Sequence, residues 1–284
     1  MNQEQRQIYY DRDLQLEAYH LSGIVQKFPN HFHDDYVIGF IEGGHRQLWC
    51  KGQTYELHAG DLIIFNPRDN HCCAPIGEEL LDYRALNILP QRLGEAALEI
   101  TGRYFLPCFT ANVLPQSDIT HSLRATYLAI VNQESVLAKE EAYFFLLEQL
   151  LSAWAAPTEE RAAAPTDRIS QLCRYMEAHF AEPLTLDDFL QIAHCSKSYL
   201  LRSFTQEVGV SPYRYLQTIR LNQAKKWLEQ GLAPVKAASQ AGFSDQSHFT
   251  HFFKEFIGLT PKQYQRIYTA GASASQSTKG AKST

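Results

Sequence analysis

The 284-residue chain has no apolar run long enough to cross a bilayer. Its longest, "AYFFLLEQLLSAWAA" at 142–156, is short and interrupted by charge, so no helical membrane span is expected. The opening "MNQEQRQIYYDRD" has no apolar core, and no secretory signal is expected. The six cysteines, Cys50, Cys72, Cys73, Cys108, Cys173 and Cys195, never fall at CxxC spacing. They read as reduced thiols of a cytoplasmic protein, not as a disulfide framework. A Ser/His/Asp set, a phosphate-binding loop and other nucleophile motifs are all missing. Positive charge is also scarce: 26 Lys and Arg stand against 31 Asp and Glu, a net of −5. A chain basic throughout, as nucleic-acid binders often are, is excluded.

The charge is unevenly divided. Residues 1–154 hold 11 Lys/Arg against 20 Asp/Glu, and residues 167–270 hold 12 against 9. An acidic front and a more basic back suggest a nucleic-acid module joined to something else. The length favours two domains. Residues 19–90 read as short strands: "YVIGFIE", "HRQLWCK", "QTYELH", "DLIIFN" and "LLDYRALNIL" are separated by turn signals such as "GG", "KGQ" and "NPRDN". That rhythm predicts a sandwich or barrel. From Ile119 the apolar spacing becomes helical. The expected organisation is α+β in two domains: a cupin-like barrel with C-terminal helices over 1–154, then a linker over 155–166. An all-helical domain over 167–268 and a disordered tail over 269–284 complete it.

One phrase occurs twice. "SYLLRSFTQEVGVSPYRY" at 198–215 returns as "SHFTHFFKEFIGLTPKQY" at 247–264. Each copy follows a short apolar helix, "LDDFLQIAH" or "APVKAASQA", and a tight turn. Thr185, Ser196 and Ser244 stand where helices need N-caps. Gly209 and Gly258 end the second helices, and Ser211-Pro212 and Thr260-Pro261 start the next ones. Helix, turn and second helix is the helix-turn-helix plan. Between the copies, "PYRYLQTIRLNQAKKWLEQ" reads as one amphipathic helix about 28 Å long. Successive major-groove faces of B-DNA lie about 34 Å apart. The repetition suits a chain that reads two groove segments.

The residues "IRLNQAKKWLEQG" and "AASQAGFSDQSHFTHFFKEFIGLTPKQY" closely resemble the DNA-binding domain of AraC-family transcription regulators. The likeness covers about 100 residues and is carried by Ala238, Gly242-Phe243, Gln246 to Phe249, Phe253-Lys254, Gly258 and Thr260-Pro261. It implies seven helices with two helix-turn-helix units. Three positions depart from the family pattern. Leu190 replaces a small alanine, His194 stands where glycine is frequent and would need φ > 0, and His251 replaces an arginine. By resemblance, Ser198, Leu201 and Arg202 face the groove, with Lys197 beside them. The second unit would present Gln246, Ser247, Thr250 and His251. Arg202 suits guanine and Gln246 adenine. Phosphate contacts are expected from Lys197, Arg220, Lys225 and Lys226.

"NHFHDDYVIGFIEGG" and "GDLIIFNPRDNHC" resemble the two halves of a cupin motif. His31, His33 and His71 would converge, a set able to hold a divalent metal. Metal cupins add a carboxylate shortly after His-x-His, and here Val37 and Ile38 stand at those positions. The reading therefore assigns no metal and no cofactor, and treats the region as an effector pocket lined by His31, His33, Tyr36, Trp49, His71, Tyr83 and Asn87. Arg46 and Arg84 are candidates to clamp a carboxylate. Helices at 119–136 and 139–154 are expected to cover the barrel and to mediate a homodimer. The function implied is a DNA-binding regulator, not an enzyme, that answers a small molecule. Its partners would be double-stranded DNA, the effector, RNA polymerase if it activates, and no membrane. The alternative is a metal-dependent cupin enzyme with a helical appendage. A third reading is a constitutive DNA binder whose barrel only dimerises.

Overall fold

The structure, a computed structural model, describes residues 4–157 and 167–269. The chain forms two compact units, Met1–Ala164 and Pro165–Thr284.

The first unit begins with nine strands: β1 (Gln5–Asp11), β2 (Leu16–Ile24), β3 (Phe28–His31), β4 (Tyr36–Gly43), β5 (Arg46–Cys50), β6 (Gln53–Leu57), β7 (Leu62–Phe65), β8 (His71–Pro75) and β9 (Leu81–Ile88). Helix α1 (Pro90–Thr101), the short strands β10 (Pro107–Phe109) and β11 (Val113–Leu114), helices α2 (Ile119–Val131) and α3 (Val136–Trp154), and β12 (Ala155–Pro157) follow. One sheet has the order β1-β2-β9-β4-β7-β11 and a second has the order β3-β8-β5-β6. Local chemistry fixes the turns. Lys51 and Gly52 both take positive φ, +48° and +80°, the two-residue turn that joins β5 to β6.

Alternation along the strands sorts side chains to two faces. Val37, Ile41, Ile63, Leu81, Tyr83 and Ala85 join Leu48, Cys50 and Leu57 of the second sheet in an apolar interior. Tyr36, Ile38, Phe40, Ile64, Leu86 and Ile88 face the other way and pack on Leu93, Leu123, Leu146 and Leu150 of the three helices. Strands buried on both faces read as continuous apolar runs, and β4 and β7 do. This is the cupin-like barrel with a helical cover that the sequence predicts. Lys139 of α3, only 5% exposed, reaches Asp11 at 2.6 Å and also Asp13, pinning α3 to the β1–β2 turn. The expected linker 155–166 opens with β12, which pairs with β10. Residues 158–166, and the tail from 270 onward, lie outside the described residues.

The described part of the second unit holds seven helices: α4 (Asp167–Ala178), α5 (Leu186–Ala193), α6 (Lys197–Val208), α7 (Pro212–Glu229), α8 (Pro234–Gln240), α9 (Gln246–Ile257) and α10 (Pro261–Thr269). Thr185 and Asp188 form a capping box at α5. Ser196 caps α6 and Ser211 caps α7. The α9 cap is Asp245, not Ser244: its carboxylate accepts from the His248 amide at 2.7 Å. Thr260 and Gln263 make a reciprocal cap at α10. Gly209 and Gly258 end α6 and α9 in the left-handed region.

Helix α7 is the axis of this unit. Tyr215 to Leu221 are buried without a break. Arg220 belongs to that run. Its guanidinium donates to the carbonyls of Phe180 at 2.7 Å and Glu182 at 2.8 Å, in the α4–α5 connection. Gly242, in the α8–α9 turn, meets the same connection: a Cβ there would lie 2.8 Å from the Ala181 carbonyl oxygen, and its φ is +81°. Gly242→Ala therefore combines left-handed strain with a backbone clash and should cost about 1–3 kcal/mol. Urea unfolding of the full chain measures it, and an unchanged midpoint would refute the close approach.

Candidate nucleic-acid interface and ligand-binding barrel

Helices α5 and α6 form the first helix-turn-helix unit, and α8 and α9 the second. In each, an apolar face holds the second helix down. Leu200 and Phe204 are buried on α6, and Phe249, Phe252 and Phe253 on α9. The rings continue the packing: Phe204 meets Tyr215 of α7 edge-on at 5.5 Å, and Phe253 meets Tyr264 of α10 at 5.6 Å. The turn of the first unit is strained as its sequence suggests. His194, where glycine would be easy, has φ +48° and ψ +49°, and its amide still donates to the Leu190 carbonyl at 2.9 Å.

The opposite faces are open. Lys197, Ser198, Leu201 and Arg202 on α6 are exposed, as are Gln246, Ser247 and His251 on α9, while Thr250 is half-buried. The residues of each set lie on the first two turns of their helix, the end that carries a positive dipole and unpaired amides. Two of the expected phosphate contacts are placed elsewhere. Arg220 is 8% exposed and turned inward onto carbonyls, and burial lowers its pKa. Lys225 lies 5.8 Å over the Tyr264 ring and 3.8 Å from the Glu229 carboxylate. Helix periodicity marks both as lysine or arginine on α7 but does not reveal which side its neighbours cover. Lys226 is exposed.

In the barrel, the seven expected pocket residues separate. His31, His33 and His71 come together, with ring centroids 4.5–5.2 Å apart. His31 donates from Nδ1 to the Pro29 carbonyl at 2.7 Å, and His71 donates from Nδ1 to the Asp69 carbonyl at 2.9 Å. A carbonyl can only accept, so both Nδ1 atoms carry the proton. Burial, then the neighbouring His31, holds His71 well below the usual histidine range, so it is a neutral imidazole. Its ring stacks on Phe65 at 3.7 Å. Tyr83 and Asn87 share the inner face of β9. Tyr83 covers Gly39, whose missing Cβ would fall 2.2 Å from the tyrosine oxygen. Asn87 donates to the Glu17 carboxylate at 2.8 Å. Burial raises the pKa of Tyr83 and of its neighbour Tyr19, so both remain phenols.

Tyr36 and Trp49 stand apart from that interior. Tyr36 faces the helices and donates its hydroxyl to the Pro107 carbonyl at 2.6 Å. Trp49 alternates with the buried Leu48 and Cys50 and points to the outside of β5. The two arginines part in the same way. Arg84 lies on the outer face of β9, beside Glu42 at 3.3 Å and over the Tyr127 ring at 5.4 Å. Arg46 points inward and is 0% exposed, and it donates to the carbonyls of Ile24 and Gln26. Polar and aromatic type alone marked these residues; strand parity separates them. Sequence reasoning passed over Glu17 and Tyr19, which the β2 alternation places on the inner face.

A cupin-like β-barrel in one unit and a paired helix-turn-helix in the other define a transcription regulator. Comparison with known proteins agrees. Residues 13–155 match the AraC-like ligand binding domain, and residues 189–267 match a helix-turn-helix domain. The chain belongs to the AraC family of transcription regulators. It is 48% identical over 249 residues to the uncharacterized HTH-type transcriptional regulator YbfI of Bacillus subtilis (strain 168), covering 87% of this chain and 90% of that one. A second relative, SACOL0084 of Staphylococcus aureus (strain COL), is 26% identical over 237 residues; the match covers 81% of this chain and 31% of that protein. Among solved structures, an apo variant of ToxT from Vibrio cholerae strain SCE256 has a TM-score of 0.55 at 14% identity, covering 92% of this chain and all of that one. That likeness is one of fold. Among the described residues no helix is long and apolar enough to cross a membrane.

The exposed Lys197 and the buried Arg220 make opposite predictions. Lys197→Ala should leave stability unchanged and reduce the slope of log K against log salt by about 1, as loss of one phosphate contact does. Arg220→Ala should lower the unfolding midpoint and leave the slope unchanged. Electrophoretic mobility shifts at several salt concentrations, with parallel denaturation, distinguish them.

Proposed function

We propose that this regulator reads DNA through Lys197, Ser198, Leu201 and Arg202 of α6 and Gln246, Ser247, Thr250 and His251 of α9. The supporting observation is that these side chains make no hydrogen bond or ion pair among the described residues, while the opposite face of each helix is packed into the unit. Helix α7, at 18 residues, is about 27 Å long. It separates the units by a length comparable to the roughly 34 Å between successive major-groove faces. Arg202 forks onto a guanine edge and Gln246 onto an adenine edge. The protein acts in the cytoplasm as a homodimer, and an activating role would add RNA polymerase as a partner.

The barrel serves as a sensor, not as a catalyst. In support, the position where metal cupins carry a carboxylate is Val37, part of the apolar interior. The effector occupies the inner face around His31, His33, His71, Tyr83 and Asn87, and Tyr36 and Trp49 fall outside this site. It changes DNA binding by favouring one of two arrangements of the regulator, which requires unequal affinity for them.

Footprinting on DNA upstream of neighbouring genes tests the first proposal. Arg202→Ala should cost about 1–3 kcal/mol of discrimination at one base position, and an unaltered sequence preference would remove Arg202 from the reading set. For the barrel, a metabolite at 100 times its Kd should stabilise the chain by about 2.7 kcal/mol in a thermal-shift screen. The gain should vanish when Tyr83 is replaced by alanine.

A further inference from the structure

A cluster of ionisable side chains lies on the outer face of the second sheet, away from the barrel interior. Arg46 and Leu57 pair across β5 and β6, and both are buried. By alternation, His45, Glu56 and His58 beside them turn outward. One step past the Arg46–Leu57 pair, the two histidines face each other across the hairpin, with rings stacked at 4.6 Å and 27°. Glu56 stands two residues before His58, on the same face. Its carboxylate accepts from Nε2 of His45 at 2.6 Å and lies 3.7 Å from Nε2 of His58. Among the described residues, no lysine or arginine pairs with Glu56; its ionic partners are the two imidazoles.

These spacings suit three donors to one ion. One nitrogen of each histidine and one oxygen of Glu56 lie within 4.8 Å of one another. Donor atoms about 2.0–2.2 Å from a metal ion lie about 3.0 Å apart on an octahedral edge and about 3.4 Å apart on a tetrahedral one. The two nitrogen–oxygen distances, 2.6 and 3.7 Å, bracket those values. Small χ rotations supply the difference, and Glu56 and His58 are mostly exposed and have room for them. When Nε2 of His45 takes the ion, its proton moves to Nδ1 and the ring stays neutral.

The backbone beneath is held on both strands. Arg46, next to His45, is fully buried and donates to the carbonyls of Ile24 and Gln26. The His45 carbonyl accepts from the Ile76 amide at 3.0 Å. Across the hairpin, the His58 amide donates to the buried Asp61 carboxylate at 2.8 Å. Donors on an anchored main chain lose little freedom when they bind, which favours affinity. The excess of Asp and Glu over residues 1–154 adds a field that attracts cations.

We propose that His45, Glu56 and His58 form a surface centre for a divalent transition metal, with Zn2+ as the probe. Two imidazoles and one carboxylate suit Co, Ni, Cu or Zn, whereas Mg and Ca favour oxygen donors throughout. Water fills the remaining positions, because the cluster opens to solvent at the β6 edge of its sheet. The ion bridges the residue before β5 and the residue after β6. It therefore staples the hairpin at its open end, opposite the Lys51–Gly52 turn. The centre lies outside the barrel and stands whether or not the interior holds an effector.

The test counts metal. Full-length protein stripped with a chelator is dialysed against micromolar free Zn2+, and the bound ion is measured. His58→Ala should hold one equivalent less than the unaltered chain, and so should His45→Gln. Glu56→Gln keeps both rings and should weaken that equivalent by at least about the 10–100-fold that loss of an outer-shell partner costs. Gln47→Ala, paired with Glu56 across the strands but outside the cluster, should change nothing. Ions held elsewhere, by His31, His33 and His71 included, are common to all these proteins and cancel in the difference. Circular dichroism checks folding, and if His58→Ala does not fold, His45→Gln and Glu56→Gln make the comparison. Equal metal content in the unaltered chain and the folded histidine variants would overturn the proposal. So would an equivalent that appears only at millimolar Zn2+, or one that Gln47→Ala also removes.

Discussion

The DNA-binding unit depends on one buried cation. Arg220 enters the packed centre of α7 and ends on two carbonyls of the α4–α5 connection. Desolvating a guanidinium is costly, and burial duly lowers its pKa. The return is positional. Carbonyls in an irregular connection have no ladder partner, and unpaired ones would be expensive to bury. Arg220 donates to two at once, the Glu182 carbonyl also accepting from the Leu184 amide at 2.8 Å, and ties the segment before the first helix-turn-helix unit to the helix between the units. Gly242 brings the second unit's turn onto the same segment from the other side. The two units are therefore registered through residues 180–182 as well as through α7 itself.

The first unit is organised by a sheet with two unlike faces. One face is sealed by α1, α2 and α3 and contributes rigidity. The other meets the second sheet and carries Tyr19, Tyr83, Asn87 and Glu17, while His31 and His71 come from β3 and β8 of that second sheet. Alternation along each strand assigns a residue to structure or to site. Tyr36 and Val37 are neighbours in sequence, yet one hydrogen-bonds beneath the helices and the other lines the interior.

The doubled unit was legible because it is local. Caps, terminal glycines and aromatic spacing act within a few residues, so Thr185, Ser196, Ser211, Gly209 and Gly258 could be assigned from sequence. His194 could be flagged as strained because a helix must end there whatever residue is present. Ser244 was misassigned because Asp245 beside it is an equally good cap, and only the backbone angles decide. Helix α1 was missed although Pro90 opens it, because its apolar face is mostly alanine and contrasts weakly with its surroundings. β1 and β3 escaped because they are short or largely polar. In the barrel, residue type found the histidines, but Tyr36, Trp49 and Arg84 needed strand parity across a whole sheet. The inward turn of Arg220 needed a partner some forty residues away, which no local pattern carries.

Gly39 has a consequence for how specificity can drift. Its bare α-carbon is a notch, and the phenol of Tyr83 rests in it. The notch is therefore filled by one removable plug, not by the strands. Trimming that plug would open space with the strands unmoved, whereas filling the notch would dislodge the plug and strain the sheet. For the effector site proposed above, a change of specificity has an easy route through codon 83 and a steep one through codon 39.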